Sequence, residues 1–492
     1  MSIFLNALKN DTNLTYTENG ALTHKTSMNA LMDMFAMGAA YRSRSEEDCI
    51  LLFKNAYMEN PEYALKCLFY IADCRGGQGE RRFFRVCAKW LANYDTEAMK
   101  RNLQYIPEYR RWDDLYCFVG TKLQKDAFNL MKHQLALDME CKTPSLLAKW
   151  LKSENTSSQK SRELANLTRI AFGMTHKQYR KTLSILRQRI NIVERLMSEN
   201  RWDEIEFDKI PSRAGLIYKN AFARRDIIKE KYESFAKSET TTVNAKALYP
   251  YEVVDKAVKI SHVSMDNVDR LMINKYWDNL TDYFNDKTFN GLAVVDTSGS
   301  MTWHGGAAAP INVAISLGLY CAERAKGPFA GHYVSFASRP QLIKVEGVDF
   351  VDKVKRIYQT NLCDNTNIEA TFDMLLNTAL NHNMSQEDLP ENILIISDME
   401  FDTARGRYGR SNDTKTLMEN IERKWRAYGY QMPKLVFWNV EARQNNIPMT
   451  VKDGISFVSG MSPTIFEQLM TGKTAFDLVM EVLNNERYAV IH

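Results

Sequence analysis

Proline is sparse in this chain, 12 residues of 492, and no low-complexity tract interrupts it. Most of the chain is therefore expected to fold. No apolar run approaches the roughly 18 residues that a membrane-crossing helix requires. The opening Met1-Ser2-Ile3-Phe4-Leu5-Asn6 lacks the basic start and apolar core of a secretory signal. A membrane protein is not expected, and a cytoplasmic one is. The eight cysteines (Cys49, Cys67, Cys74, Cys87, Cys117, Cys141, Cys321 and Cys363) include no Cys-x-x-Cys pair, and most lie inside apolar segments. They are expected as buried thiols in a reducing compartment, neither a disulfide framework nor a zinc site. No nucleophile stands at a recognisable spacing from a base, so an enzyme is not expected.

What is present is a soluble, globular composition, 45% hydrophobic and 25% charged, long enough for two or three domains. The net charge of +4 is small but unevenly spread. Between Lys142 and Arg195 twelve Lys and Arg residues face only Glu154, Glu163 and Glu194. That excess can attract a polyanion over a Debye length, or it can be a solvated helix face.

Residues 1–27 read as a loose or extended arm with turn formers such as Asn19-Gly20. Residues 28–285 read as helix after helix, with helical apolar spacing and Gly or Pro punctuation. Many helices joined by short turns predict an all-α module of paired, HEAT-like helical repeats. Near Asn290 the pattern changes to apolar strands alternating with helices, with strands over 291–295, 331–336, 341–345, 392–397, 434–439 and 455–458. Such alternation predicts an α/β domain over 289–486, a doubly wound, Rossmann-like parallel sheet.

The most informative stretch is Leu292-Ala293-Val294-Val295-Asp296-Thr297-Ser298-Gly299-Ser300. A buried strand that ends in Asp-x-Ser-x-Ser gathers hard oxygens where open α/β sheets bind ligands, and hard oxygens suit a hard divalent cation. The loop Asp364-Asn365-Thr366-Asn367 and the strand end Ser397-Asp398 reach the same sheet edge. The alternative is that these Ser and Asp side chains only cap a helix.

This combination resembles a von Willebrand factor A domain. The resemblance implies a metal-ion-dependent adhesion site on Asp296, Ser298, Ser300, Thr366 and Asp398. It further implies Mg²⁺, or another divalent cation such as Mn²⁺ or Ca²⁺, with an open position for an Asp or Glu of a protein partner. Met399 stands where that family often has Gly, and Glu400 and Asp402 add carboxylates.

In the helical half, Asp73-Cys74-Arg75-Gly76-Gly77-Gln78-Gly79-Glu80-Arg81-Arg82 and Arg110-Arg111-Trp112-Asp113-Asp114 are dense in charge. No Gly-Lys-Ser or Gly-Lys-Thr follows that glycine-rich turn, so it is no nucleotide P-loop. Pairing of Glu80, Asp113 and Asp114 with the arginines is the favoured reading, and a phosphate site the other. These motifs upstream of a von Willebrand-type domain resemble a family of cytoplasmic proteins found in cells and viruses. The architecture is similar to the Ro, or TROVE-module, ribonucleoproteins, which implies small or single-stranded RNA as a partner. Lys160, Arg162, Arg180, Arg187 and Arg189 are the candidate phosphate contacts, and Trp150, Phe172, Tyr179 and Trp202 can stack bases or fill the core. The expected function is RNA binding with a metal-dependent interaction domain. The alternative is a protein-interaction or assembly scaffold without RNA.

Overall fold

The computed structural model describes all residues except 1–11, 191, 303–305, 307, 337–338, 361–366, 403–415, 450–453 and 470–473. Helices of eight or more residues are labelled in chain order. The first, α1 (Ala30–Met37), buries every residue from Leu31 to Met37. A helix with no polar face has to be enclosed on all sides. It is covered by α2 (Glu46–Glu59) and α3 (Pro61–Ala72) and by the last strand of the sheet described below. Asn29 caps α1 by accepting from the Met32 amide, Ser45 caps α2, and Asn60 with Pro61 opens α3.

The turn from α3 to α4 (Arg81–Tyr94) requires its glycines. A Cβ on Gly77 would lie 1.9 Å from the Tyr70 carbonyl oxygen, and Gly79 holds φ +67 against the Tyr249 hydroxyl. Helices α5 (Gln124–Glu140), α6 (Gln159–Phe172) and α7 (His176–Arg189) follow. Then come α8 (Ser212–Arg224), α9 (Asp226–Lys237), α10 (Pro250–Lys259) and α11 (Val268–Asp278). The apolar pattern over 213–235 predicts one helix, but Arg225 is extended at φ −89, ψ 111 and divides it in two. The apolar spacing over 262–285 predicts a helix, but the helix starts only at Val268, where Asn267 caps it through the Asp269 amide.

The charged motifs of the helical half are structural. Buried Asp114 accepts from Arg81 Nε at 2.7 Å and Arg85 Nε at 2.5 Å, and lies 3.4 Å from Arg110 Nε. Asp113 pairs with Arg81, Arg111 and Lys152 at 2.7, 3.0 and 3.3 Å. Glu80 departs from the expected arginine pairing and caps α4 through the amides of Arg82 and Phe83. Arg82 approaches the carbonyls of Tyr41 and Arg42, and Arg75 donates to that of Glu108.

The second half is a six-stranded sheet in the order β5-β4-β3-β6-β7-β8. Its strands are β3 (Gly291–Asp296), β4 (His332–Phe336), β5 (Gln341–Lys344), β6 (Asn392–Ser397), β7 (Lys434–Asn439) and β8 (Ile455–Ser459). All neighbours are parallel except the exposed edge strand β5. Strands β3 and β8 are buried throughout, as expected where both faces are covered. Helices α12 (Pro310–Arg324), α13 (Phe350–Thr360), α14 (Ile368–Asn381), α15 (Leu417–Ala427) and α16 (Ala475–Leu483) complete it. The chain order reverses between β3 and β6, which makes their carboxyl ends the topological switch point.

The two halves share one apolar cluster that runs from Ala21 to Ile491. Ser459 of β8 donates to the Phe35 carbonyl of α1, Gln78 accepts from the Ser462 amide, and Asp73 holds Arg487 in a bidentate pair. The described part of the expected loose arm is a docked hairpin, β1 (Leu14–Tyr16) with β2 (Leu22–His24). Backbone bonds between His24 and Ile447 and a bridge from Gly20 to Asp402 fix it to the loops after β7 and β6. Of the thiols, Cys49, Cys67, Cys87 and Cys321 are buried, Cys74 and Cys117 are half-buried, and Cys141 is exposed; Cys363 lies outside the described residues. Among the described residues no helix is long and apolar enough to cross a membrane.

Replacing Asp114 with Ala removes the one buried carboxylate that Arg81, Arg85 and Arg110 share. It should cost about 3–5 kcal/mol in urea unfolding, whereas Lys152→Ala at the rim of the same cluster should cost less than about 1 kcal/mol.

Candidate metal centre

The switch point brings Asp296, Ser298, Ser300 and Asp398 together. Asp296 ends β3 and is fully buried. Its Oδ1 accepts the Ser298 amide at 2.9 Å, and its Oδ2 accepts the Ser397 hydroxyl at 2.5 Å across the gap between β3 and β6. The Ser298 and Ser300 hydroxyls lie 3.0 Å apart, because a short 3-10 turn over Gly299–Thr302 folds the chain back at once. Asp398, also buried, lies beside the Ser300 hydroxyl and accepts the Glu400 amide at 3.2 Å. Thr366 lies outside the described residues, as do Trp303 and His304. The helix that follows Thr366, α14, is capped by Asn367, which accepts from the Ala370 amide.

Met399 adopts φ +66 and is buried. The left-handed conformation explains why glycine suits this position, and the methionine accepts the strain in exchange for core packing. Glu400 is also buried. Its Oε1 accepts from Asn446 Nδ2 at 2.9 Å and its Oε2 from the Glu18 amide at 2.7 Å, so it secures the hairpin. Sequence reasoning named Ser397 only as part of the strand end and missed Asn446, Glu18 and Arg443. The loops after parallel strands all converge on this edge, and that rule alone points to the segment after β7.

Desolvation dominates the electrostatics. It raises the carboxyls of Asp296 and Asp398, and the Asp398 charge raises Asp296 further. Burial pushes Glu400 up to about 7. Arg443 Nη2 lies 3.0 Å from Asp398 Oδ2 and opposes the rise. That contact is one of charge only: among the described residues buried Asp398 Oδ2 accepts no hydrogen bond. A buried anionic oxygen without a donor, beside a second carboxylate and two hydroxyls, fits a hard cation. Among the described residues no three His, Cys, Asp or Glu side chains are grouped to hold a metal, so hydroxyls would have to complete this set.

The candidate phosphate contacts lie on α6 and α7, and they are unequal. Arg187 is half-buried and donates to the carbonyls of Ala148 and Leu151, both at 2.8 Å, and to Ser153 Oγ at 2.9 Å. Arg162 donates to the carbonyls of Thr156 and Ser157, and Arg189 to that of Met139. Arg180 is exposed and 3.6 Å from Glu154. Lys160 is exposed at the rim of a cleft of about 570 Å³ between α4 and α6. Phe172, Tyr179 and Trp202 are core residues, and half-buried Trp150 lies under the Arg111 guanidinium, 4.0 Å from its ring centre.

A family model described as a domain of unknown function (DUF2828) matches residues 17–171 and 134–288, and a second such domain (DUF7788) matches residues 290–489. The chain is 29% identical over 505 residues to a protein of Acanthamoeba polyphaga mimivirus, "Uncharacterized protein L728", which covers 94% of this chain and 85% of that protein. Among solved structures, the Ro (RSR) protein of Deinococcus radiodurans aligns with a TM-score of 0.44 and 13% identity, over 94% of this chain and 100% of the other.

The raised Asp296 carboxyl has a pH signature. Its folded pKa exceeds its unfolded value, so the stability it contributes is full below the unfolded pKa and is lost as pH rises through the folded one. Asp296→Asn keeps an acceptor for Ser298 and cannot ionise. In chelator-treated protein it should melt above the parent, by about 1–3 °C at pH 7.5, with a gap that narrows towards pH 5. A gap independent of pH would show that Asp296 does not ionise in this range.

Proposed function

The chain belongs to the family defined by the domain of unknown function DUF2828, and we propose that this member is a non-enzymatic, RNA-binding protein of the Ro type whose second half is a von Willebrand factor A-like domain with a metal-dependent interaction site. The observation that carries the reading is the convergence of Asp296, Ser298, Ser300 and Asp398 at the switch point of the sheet. A divalent cation bound there would supply an open coordination position for a partner's carboxylate.

The protein's own residues do the positioning. Asp296 is fixed from both sides by the Ser298 amide and the Ser397 hydroxyl, so one carboxylate is already oriented. The neutral hydroxyls of Ser298 and Ser300 can coordinate without cancelling charge, which leaves a cation electrophilic towards an incoming acid. On the helical side, Lys160, Lys177, Arg180 and Lys181 are exposed. Lys177, Arg180 and Lys181 share one stretch of α7 and form the cationic surface proposed to meet RNA phosphates. Arg162 and Arg189 can reach phosphate only alongside their carbonyl bonds, and Arg187 is assigned to holding α7 in place. Those carbonyl bonds favour the second reading, a protein-interaction scaffold without RNA.

Two measurements test the proposal. MgCl2 should raise the melting temperature of the parent, and Asp296→Ala should abolish that rise; an equal rise in both would remove the metal assignment. Filter binding of single-stranded RNA should weaken steeply with salt. Reversing Lys177, Arg180 and Lys181 to Glu should reduce the slope of log K against log salt by about 0.7 per lost phosphate contact. No retention of RNA at low salt leaves the scaffold reading.

A further inference from the structure

One guanidinium joins the metal-site edge to the N-terminal hairpin. Arg443, in the loop after β7, places Nη2 3.0 Å from Asp398 Oδ2 and Nη1 2.5 Å from Glu18 Oε2. Its side chain is 15% exposed, Asp398 is 1% exposed and Glu18 is 38% exposed. The ion pair therefore runs from a buried candidate ligand to a half-solvated carboxylate on a separate element. Glu18 belongs to the turn of the hairpin, where the Gly20 amide donates to the Thr17 carbonyl. The hairpin is anchored independently of Arg443: Thr17 Oγ1 donates to the Phe401 carbonyl at 2.7 Å, Asn19 Nδ2 to the Glu400 carbonyl at 2.6 Å and Thr23 Oγ1 to the Ile447 carbonyl at 2.9 Å. The Arg443 loop is fixed too, because Arg44 donates to the Arg443 carbonyl and Arg42 pairs with Glu441.

We propose that Arg443 is the resident counter-charge of the cation site and that Glu18 is the group that receives it when a cation enters, so that the hairpin sets the metal affinity. This rests on the metal-dependent reading above. Without a cation, two buried carboxylates lie in one site, and Arg443 screens Asp398 Oδ2, the oxygen that accepts no hydrogen bond among the described residues. A divalent cation on Asp398 repels a guanidinium at this range and removes its attraction to that carboxylate. Arg443 needs another anion within reach, and Glu18 already touches its other nitrogen. The transfer costs little, since it trades one ion pair for a firmer version of another. Arg443 thus opposes metal binding and Glu18 relieves the opposition. By linkage, a bound cation and a docked Glu18 favour each other.

The signs of the two variants are opposite, which a merely structural role would not produce. Titrating MnCl2 alone into the full chain after EDTA treatment and dialysis, followed by calorimetry, should show Arg443→Gln binding about tenfold tighter than the parent. Glu18→Gln should bind about tenfold weaker, the scale of losing one partner that orients a metal ligand. Thr23→Val weakens hairpin docking at a point remote from Arg443 and should leave the affinity within about twofold of the parent. Parent binding with Arg443→Gln unchanged or weaker overturns the proposal. So does an equal loss in Glu18→Gln and Thr23→Val, which would mean that docking alone matters. Should Arg443→Gln fail to fold, the comparison of Glu18→Gln with Thr23→Val decides. No binding heat in the folded parent defeats the metal reading itself and the inference with it.

Discussion

The enclosure of α1 is the constraint on which the rest depends. A helix whose seven residues after Ala30 are all buried has no face to offer water. The sheet covers one side of it, through β8, and α2 and α3 cover others. Helical and α/β halves therefore cannot separate without exposing α1, and their polar contacts are built around that union. Ser459 reaches back to the Phe35 carbonyl, and Asp73, fully buried, neutralises Arg487 from the far end of the chain. Such buried pairs add little net stability but are costly to half-remove, so they specify which helices meet which strands.

A rigid union also explains how a crowded carboxylate site persists. Asp296, Asp398 and Glu400 all have raised carboxyls because burial disfavours their charge. Ordinary surface loops would relax and hydrate them. Here Asp296 is tied to Ser397 of β6, Glu400 to the Glu18 amide of the hairpin and to Asn446 after β7, and Asp398 to the charge of Arg443 in the same loop. The protein stores unfavourable charge at the sheet edge because packing elsewhere holds that edge shut.

Much of this was legible in the chain. The strands of the second half read correctly because buried parallel strands are continuous apolar runs, as in Ile393–Ile396, and even the edge strand at Gln341 was visible. Asp296, Ser298 and Ser300 announced themselves through short spacing. Asp398 was reached by the rule that strand ends share one edge, while Thr366 falls outside the described residues. The hairpin was illegible because its strands are three residues long and polar, and its partners lie near residues 400 and 447. Arg443 has no local signature at all. The basic excess over 142–195 was real as composition, but composition is silent on direction. Arg187 turns inwards to the ends of neighbouring segments at Ala148 and Leu151.

The separation between Thr17 and Phe401, 384 positions along the chain, has a consequence for biogenesis. Synthesis proceeds towards the C-terminus, so the hairpin emerges before the loops after β6 and β7 on which it docks, and waits for them. Contacts of such high order form late and slowly. The sheet edge is thus sealed by an early-made hairpin only after the loops that follow β6 and β7 have arrived, and a ribosome that stalls before β6 releases a product whose hairpin has nowhere to dock. Closure of that edge is a record that synthesis passed Ile447.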